Sequence, residues 1–317
     1  MTLIANSFVL SFNTLWRYLL VMPFVVIPGL IVVISVIIGP VFIFGGMFAG
    51  ALYFAPLLAG SVILIFVSFL ISSFMCYNIM IGCRSAFAAM GQRNDLDFPR
   101  LIGKSMNFTL VQMIAWVFIV VVLGGVGAGY ALLTGGLSLG GSAPEVAMLE
   151  AASNPLFIVL SVVMVLISLA VSALLAVPMA GAAISATPKM GPTDAFIGLG
   201  SAFLPVLGVL VITQVLCTIT GAYGYLGMFI WQLSTAFFQY VTEQPVAWLA
   251  QEQFLLALGM TLLVIWASSW FYAASALGWR RYVDAREEAL SYKVEYDRFT
   301  PEELRLLREK RDRERGQ

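Results

Sequence analysis

Three side-chain amides lie where an apolar chain has least use for them. Asn78, Gln112 and Gln214 each sit in a long hydrophobic run. An amide in hydrocarbon needs a partner, either a neighbouring helix or a bound solute. Interhelical bonding is the preferred reading over substrate contact; Asn78, near the inner end of its run, can also simply reach water, and the deeper Gln214 is expected to find a neighbouring backbone or Ser/Thr group. Cys76, Cys83 and Cys217 form no CxxC pair, which favours buried structural thiols over a metal or redox centre. The chain contains no histidine, so histidine acid–base chemistry, histidine-ligated haem and most zinc sites are excluded. It shows no Gly-rich phosphate loop, nucleophile elbow or paired intramembrane aspartates. The reading is a non-enzymatic protein with no cofactor and no metal.

The elements that position these groups follow from composition. Of 317 residues, 61% are hydrophobic and 11% charged, against roughly 25% charged in a soluble domain. With a mean hydropathy of +0.95, the chain must use lipid as its solvent. Its formal net charge is zero, which gives no case for a nucleic-acid partner. A membrane-spanning helix needs about 20 mostly apolar residues. Six such runs are present, at 18–38, 58–80, 109–132, 156–182, 204–230 and 253–279. Backbone groups in hydrocarbon must be satisfied within the segment, and the alternation of a barrel is missing. The expected fold is all-α: a polytopic membrane protein of six transmembrane helices over residues 1–279, followed by a charged helical tail, 280–317.

Cations set the orientation, since Lys and Arg are retained on the cytoplasmic side. The six-span map puts Arg17 inside, Arg84, Arg93, Arg100 and Lys104 in a first inner loop, and Lys189 in a second. The other basic residues all lie between Arg280 and Arg315, while the outer loops carry only Glu145, Glu150, Glu243 and Glu252. Both termini are therefore expected in the cytoplasm, with no ionisable group deep in a span. Arg17 is the first charge, so a cleaved signal peptide is not expected and the first run stays as an anchor. The uncharged segment 40–56 is bounded by Pro40 and Pro56 and weakened by Gly45, Gly46 and Gly50. It reads as re-entrant or interfacial rather than as a seventh span. Trp16 and Trp279 fit an inner aromatic belt, and Trp231, Tyr240 and Trp248 an outer one.

An internal repeat is visible. "MIGCRSAFAAMG" from Met80 matches "MAGAAISATPKMG" from Met179, and "LIGKSMNFTLV" from Leu101 matches "FIGLGSAFLPV" from Phe196. The two blocks, 58–132 and 156–230, read as a duplicated helical hairpin in parallel orientation, each with an interfacial helix at its inner loop. In the N-terminal segment, Ile4, Phe8, Phe12 and Trp16 fall four apart, as in a helix lying in the interface before the first span. Gly124, Gly125, Gly127 and Gly129, and Ala173, Ala176, Ala180 and Ala183, permit close helix approach. Pro23, Pro28 and Pro178 are expected to kink their helices.

Arg84, Arg93, Arg100, Lys104 and Lys189 read first as topogenic charge, and beyond that as contacts to anionic lipid headgroups or a partner. In the tail, Thr300, Pro301 and Glu303 form a capping box. Leu304 and Leu307 make a narrow apolar edge suited to docking. The last span is expected to run on as a helix, break near "DRFTP" and resume.

The phrase "GCRSAFAAMGQ…FPRLIGKSMNFTLV" resembles uncharacterised bacterial inner-membrane families with paired hairpins. It is similar to the membrane domain found beside some glycerophosphodiester phosphodiesterases. The resemblance covers about residues 75–215. It implies an integral membrane domain without an assigned reaction. The phosphodiesterase domain itself is absent, and no functional residue carries over. The expected function is a scaffold or accessory subunit of a membrane assembly, contacting lipids and either a membrane-protein partner or further copies of itself. A transporter or channel for an uncharged or lipid-like solute is the alternative, and a lipid-modifying enzyme built from the loops a third.

Overall fold

A computed structural model describes residues 2–29, 31, 32, 35, 55–92, 98–133, 155–184, 200, 202–242 and 251–296. These residues are helical apart from turns and bends: α1 (Thr2–Val21), α2 (Ala55–Ala89), α3 (Phe98–Leu133), α4 (Pro155–Ala183), α5 (Phe203–Ile219), α6 (Ala222–Thr242) and α7 (Gln251–Tyr296). Among the described residues, four helices are long and apolar enough to cross a membrane, in the segments Ile65–Ala89, Arg100–Ile119, Val162–Ala183 and Glu252–Glu287. The number becomes six if each of two bent pairs, Leu3–Val21 with Pro23–Gly29 and Phe203–Ile219 with Ala222–Gln232, is one span.

Helix α7 is the central post. It packs against α1, α2, α4, α5 and α6. Its 46 residues extend about 69 Å at 1.5 Å per residue, more than twice the ~30 Å hydrocarbon thickness of a bilayer. Its apolar part gives way at Arg280, and the helix continues unbroken to Tyr296.

Each end or break in the helices has a local cause. Helix α2 ends in a Schellman motif: Gly91 has φ +84°, its N–H donates to the Ala88 carbonyl, and the Gln92 N–H donates back to Phe87. Only glycine takes that left-handed conformation without steric cost. Helix α3 then opens on Phe98 and Pro99, proline being suited to a first turn, where its missing N–H costs nothing.

The first bend, 60°, falls between α1 and Pro23–Gly29. Pro23 has no N–H for the Leu19 carbonyl, which instead receives the Met22 N–H at 3.2 Å. Pro28 likewise cannot serve the Phe24 carbonyl. The Tyr77 hydroxyl of α2 donates to it at 3.1 Å, so a neighbouring helix satisfies the group the proline leaves open. The second bend, 69°, separates α5 from α6. There Gly221 has φ +66°, and the Thr220 N–H and hydroxyl both donate to Leu216. The runs read as single spans, 18–38 and 204–230, are therefore bent pairs where they are described.

The main buried cluster draws on Cys76–Phe87 of α2, the start of α3, Ala173–Ala183 of α4, Ala202–Leu210, and Ile265–Trp279 of α7. It combines small residues such as Ala173, Ala176, Ala180 and Ala274 with large ones such as Met80, Phe87, Met179, Trp270 and Trp279. The side of α1 that faces inward carries Leu3, Ser7, Ser11, Thr14 and Tyr18, all buried. Its hydroxyls donate to their own helix, Ser7 to Ile4, Ser11 to Phe8 and Thr14 to Leu10. They thus pack as small, satisfied groups. Trp16 is exposed, while the partly exposed rings of Phe8 and Phe12 pack against Trp266 and Trp270 of α7. Ser7 of α1 accepts a bond from Trp270 Nε1 at 3.0 Å, and Tyr18 stacks 5.5 Å from Tyr272. Helix α1 thus meets α7 along Trp266, Trp270 and Tyr272.

Candidate functional site

The closest helix approaches fall on α7, at two glycines from the matching sequence blocks. A Cβ on Gly82 would run into the ring of Tyr272, and one on Gly181 would lie 2.6 Å from the ring of Trp279. Gly82 and Gly181 close the two M-x-G phrases, whose methionines, Met80 and Met179, are fully buried. Tyr272 and Trp279 stand seven residues apart, two turns of one helix face. The two phrases thus do the same work on successive turns of the post. A third contact seats Gly278 against Ala202 at the start of α5, 3.1 Å from a Cβ built there.

These contacts bring one end of every described hairpin together, and the cations gather there. Lys104 Nζ, on α3, donates at 2.8 Å to the carbonyl of Ala182 in the last turn of α4. That carbonyl has no donor within its own helix, and a cation there is favoured by the helix dipole. Lys104, expected at the headgroups, therefore also joins the first hairpin to the second. Arg100 is exposed on the first turn of α3. Arg84, placed by the sequence reading in a loop, is on α2 itself and only 7% exposed, because the helix does not stop until the Schellman cap at Gly91. Trp279, expected in an aromatic belt, is buried over Gly181, while Trp16 and Trp231 are exposed as belt residues would be. Arg93, Lys189, Leu304, Leu307, Trp248 and most of 40–56 lie outside the described residues. The same holds for the surroundings of Gly124, Gly125, Gly127 and Gly129.

Each of the three amides has a side-chain partner. The Tyr18 hydroxyl of α1 donates to Asn78 Oδ1 of α2. Cys76 Sγ of α2 donates to Gln112 Oε1 of α3 at 3.1 Å. The Tyr223 hydroxyl of α6 donates to Gln214 Oε1 of α5 at 2.7 Å, across the bend at Gly221. These partners are tyrosines and a cysteine, where the sequence reading looked to backbone or Ser/Thr groups for Gln214. All three cysteines are buried thiols, and among the described residues no group of three His, Cys, Asp or Glu side chains could hold a metal ion.

The sequence reading missed one feature. Arg17 of α1 and Arg84 of α2, 67 positions apart in the sequence, line a single cavity of about 190 Å³ together with Leu20, Val21, Ile81, Ser85 and Ala88. The only signal for it was that both arginines were assigned to the same side of the membrane. No protein-family model, curated protein or solved structure matches the chain.

Proposed function

We propose that this chain is a non-enzymatic integral protein of a bacterial inner membrane that serves as a scaffold or accessory subunit, with both termini in the cytoplasm. The observation that carries the reading is α7. One helix is at once the post on which five others pack and the rod that leaves the bundle, from Arg280 through exposed Asp284, Arg286 and Glu287 to Tyr296. A rod continuous with the core transmits position to whatever binds it, which a flexible linker would not. The bonding of Asn78, Gln112 and Gln214 to Tyr18, Cys76 and Tyr223 supports the same reading over a solute pathway, because a pathway would use such groups to line its route. The gathering of Arg17, Arg84, Lys104 and Arg280 toward one end supports a single cytoplasmic face.

Deleting residues 300–317 tests the reading. The truncated chain is expected to insert and purify normally in mild detergent but to lose proteins that co-purify with the full chain. An unchanged set of co-purifying proteins would contradict it.

A further inference from the structure

We propose that the cavity between α1 and α2 is a binding site for the phosphate headgroup of an anionic glycerophospholipid, held by Arg17 and Arg84. The lining includes two arginines, Arg17 and Arg84, and no carboxylate among its described residues. Guanidinium forks match phosphate oxygens in pairs, and two converging on one space from different helices can clamp a single phosphate from two sides. Ser85, the remaining polar lining residue, donates its proton to the Ile81 carbonyl at 3.1 Å. Ser85 thus offers no free proton to an anion, and the cationic groups of the lining are the two arginines.

Three observations choose a lipid over a free anion or a whole solute. The rest of the wall, Leu20, Val21, Ile81 and Ala88, is apolar, which suits a glycerol backbone and the first methylenes of an acyl chain rather than the hydration shell of inorganic phosphate. Leu20, beside Arg17, is 79% exposed, so the apolar wall continues onto the outer surface of α1, where the chains of a bound lipid would lie. At about 190 Å³ the cavity far exceeds the ~10–15 Å³ one water needs and falls below the ~300–1,000 Å³ of pockets that enclose a whole ligand. It therefore fits a headgroup whose tails stay outside. The site also bridges α1 and α2 just before the bend at Met22, so a bound lipid would fasten the bent N-terminal pair to the bundle.

The test is native mass spectrometry of the full-length protein exchanged into nanodiscs of equal dioleoylphosphatidylglycerol and dioleoylphosphatidylcholine, with thermal melting in detergent alongside. The wild-type chain is expected to retain phosphatidylglycerol over phosphatidylcholine by about tenfold. Arg17→Gln, at an exposed position that does not threaten folding, is expected to abolish that preference, while Arg286→Gln at an exposed site on α7 leaves it intact. Arg84→Gln, if it purifies folded, is expected to act like Arg17→Gln. Equal retention of the two lipids by the wild type, or a preference that survives Arg17→Gln, would overturn the site. Stabilisation by sodium phosphate as large as that by phosphatidylglycerol would overturn the lipid as its ligand. The readout is bound lipid and needs no protein partner, so its failure is distinct from failure of the scaffold reading.

Discussion

The two ends of the bundle are built from different residues and hold together differently. At the end that carries Arg84, Lys104 and Trp279, many buried helix positions are small, Gly82, Cys83, Ser85 and Ala86 on α2, Ala176, Ala180, Gly181, Ala182 and Ala183 on α4, Ala273, Ala274, Ser275, Ala276 and Gly278 on α7, and they seat large buried neighbours such as Met80, Phe87, Met179 and Tyr272. Toward the other end, the same helices carry Ile65, Phe66, Ile71, Val117, Phe118, Val162, Leu166, Leu255 and Leu256, all exposed. Apolarity does not separate the two ends, since both are apolar. Lipid is as good a solvent for leucine as another leucine is, so burial of large aliphatic groups draws no helices together within a membrane. Close packing at small residues does, and it occurs where the small residues are.

Substitutions can break or sharpen this contrast. The largest effect is expected from Gly181→Leu, which would drive a branched side chain into Trp279. Overpacking of a tight core costs about 1–3 kcal/mol and sometimes more, and the variant should be recovered poorly or melt well below the wild type in detergent. Combining it with Trp279→Ala should recover part of the loss, and a double-mutant cycle with no coupling would contradict the contact. Next comes Lys104→Met, which keeps the apolar stem but removes the cation from the α4 carbonyl end. About 0.5–2 kcal/mol of stability should be lost, measured by denaturant unfolding in mixed micelles, with Lys104→Arg retaining more of it. Tyr77→Phe leaves the Phe24 carbonyl without its donor and should cost about 0.6–1 kcal/mol by the same measurement. At the bottom of the scale, Val117→Ala and Val162→Ala at the open end should lie within about 0.5 kcal/mol of the wild type. A loss there as large as that of Lys104→Met would mean that the far halves of the helices are packed as tightly as the near ones.

Much of the all-helical plan was legible because it follows from one fact, the excess of apolar over charged residues. The close approach permitted by Ala173, Ala176, Ala180 and Ala183 is written in residues close together in the chain, and all four are buried. Sequence reading misses the helix ends at Gly91 and Pro99, placing the spans at 58–80 and 109–132, because hydropathy marks the membrane-spanning part of a helix and not its continuation beyond. What the spacing of residues does not reveal is how α1 meets the bundle. In α1, Phe8 and Phe12 keep exposed faces yet pack their rings against Trp266 and Trp270 of α7. Beside them the buried positions are Ser7, Ser11 and Thr14, whose hydroxyls would signal exposure in a water-soluble protein. Trp279 misled for a related reason: a tryptophan beside two arginines suits the membrane interface, and only the glycine at 181, nearly a hundred residues earlier, gives it a place to pack. The partners of Asn78, Gln112 and Gln214 were out of reach because Tyr18, Cys76 and Tyr223 meet them through helix crossings and a bend. The pairing of Arg17 with Arg84 likewise depends on how α1 packs on α2, a property of packing rather than of spacing.

The most direct measurement compares one substitution at the two ends. Gly82→Ala and Gly259→Ala both add a single methyl group to a helical glycine, and alanine by itself favours the helix by about 0.5–1 kcal/mol. A Cβ at Gly82 meets the ring of Tyr272, while one at Gly259, in the first turns of the same central helix α7, has no atom within 4 Å. Unfolding free energies of the two variants in bicelles should move in opposite directions, lower than wild type for Gly82→Ala and equal or higher for Gly259→Ala. Equal shifts, or a greater loss at Gly259, would contradict the claim that small-residue contacts at the cationic end hold this molecule together.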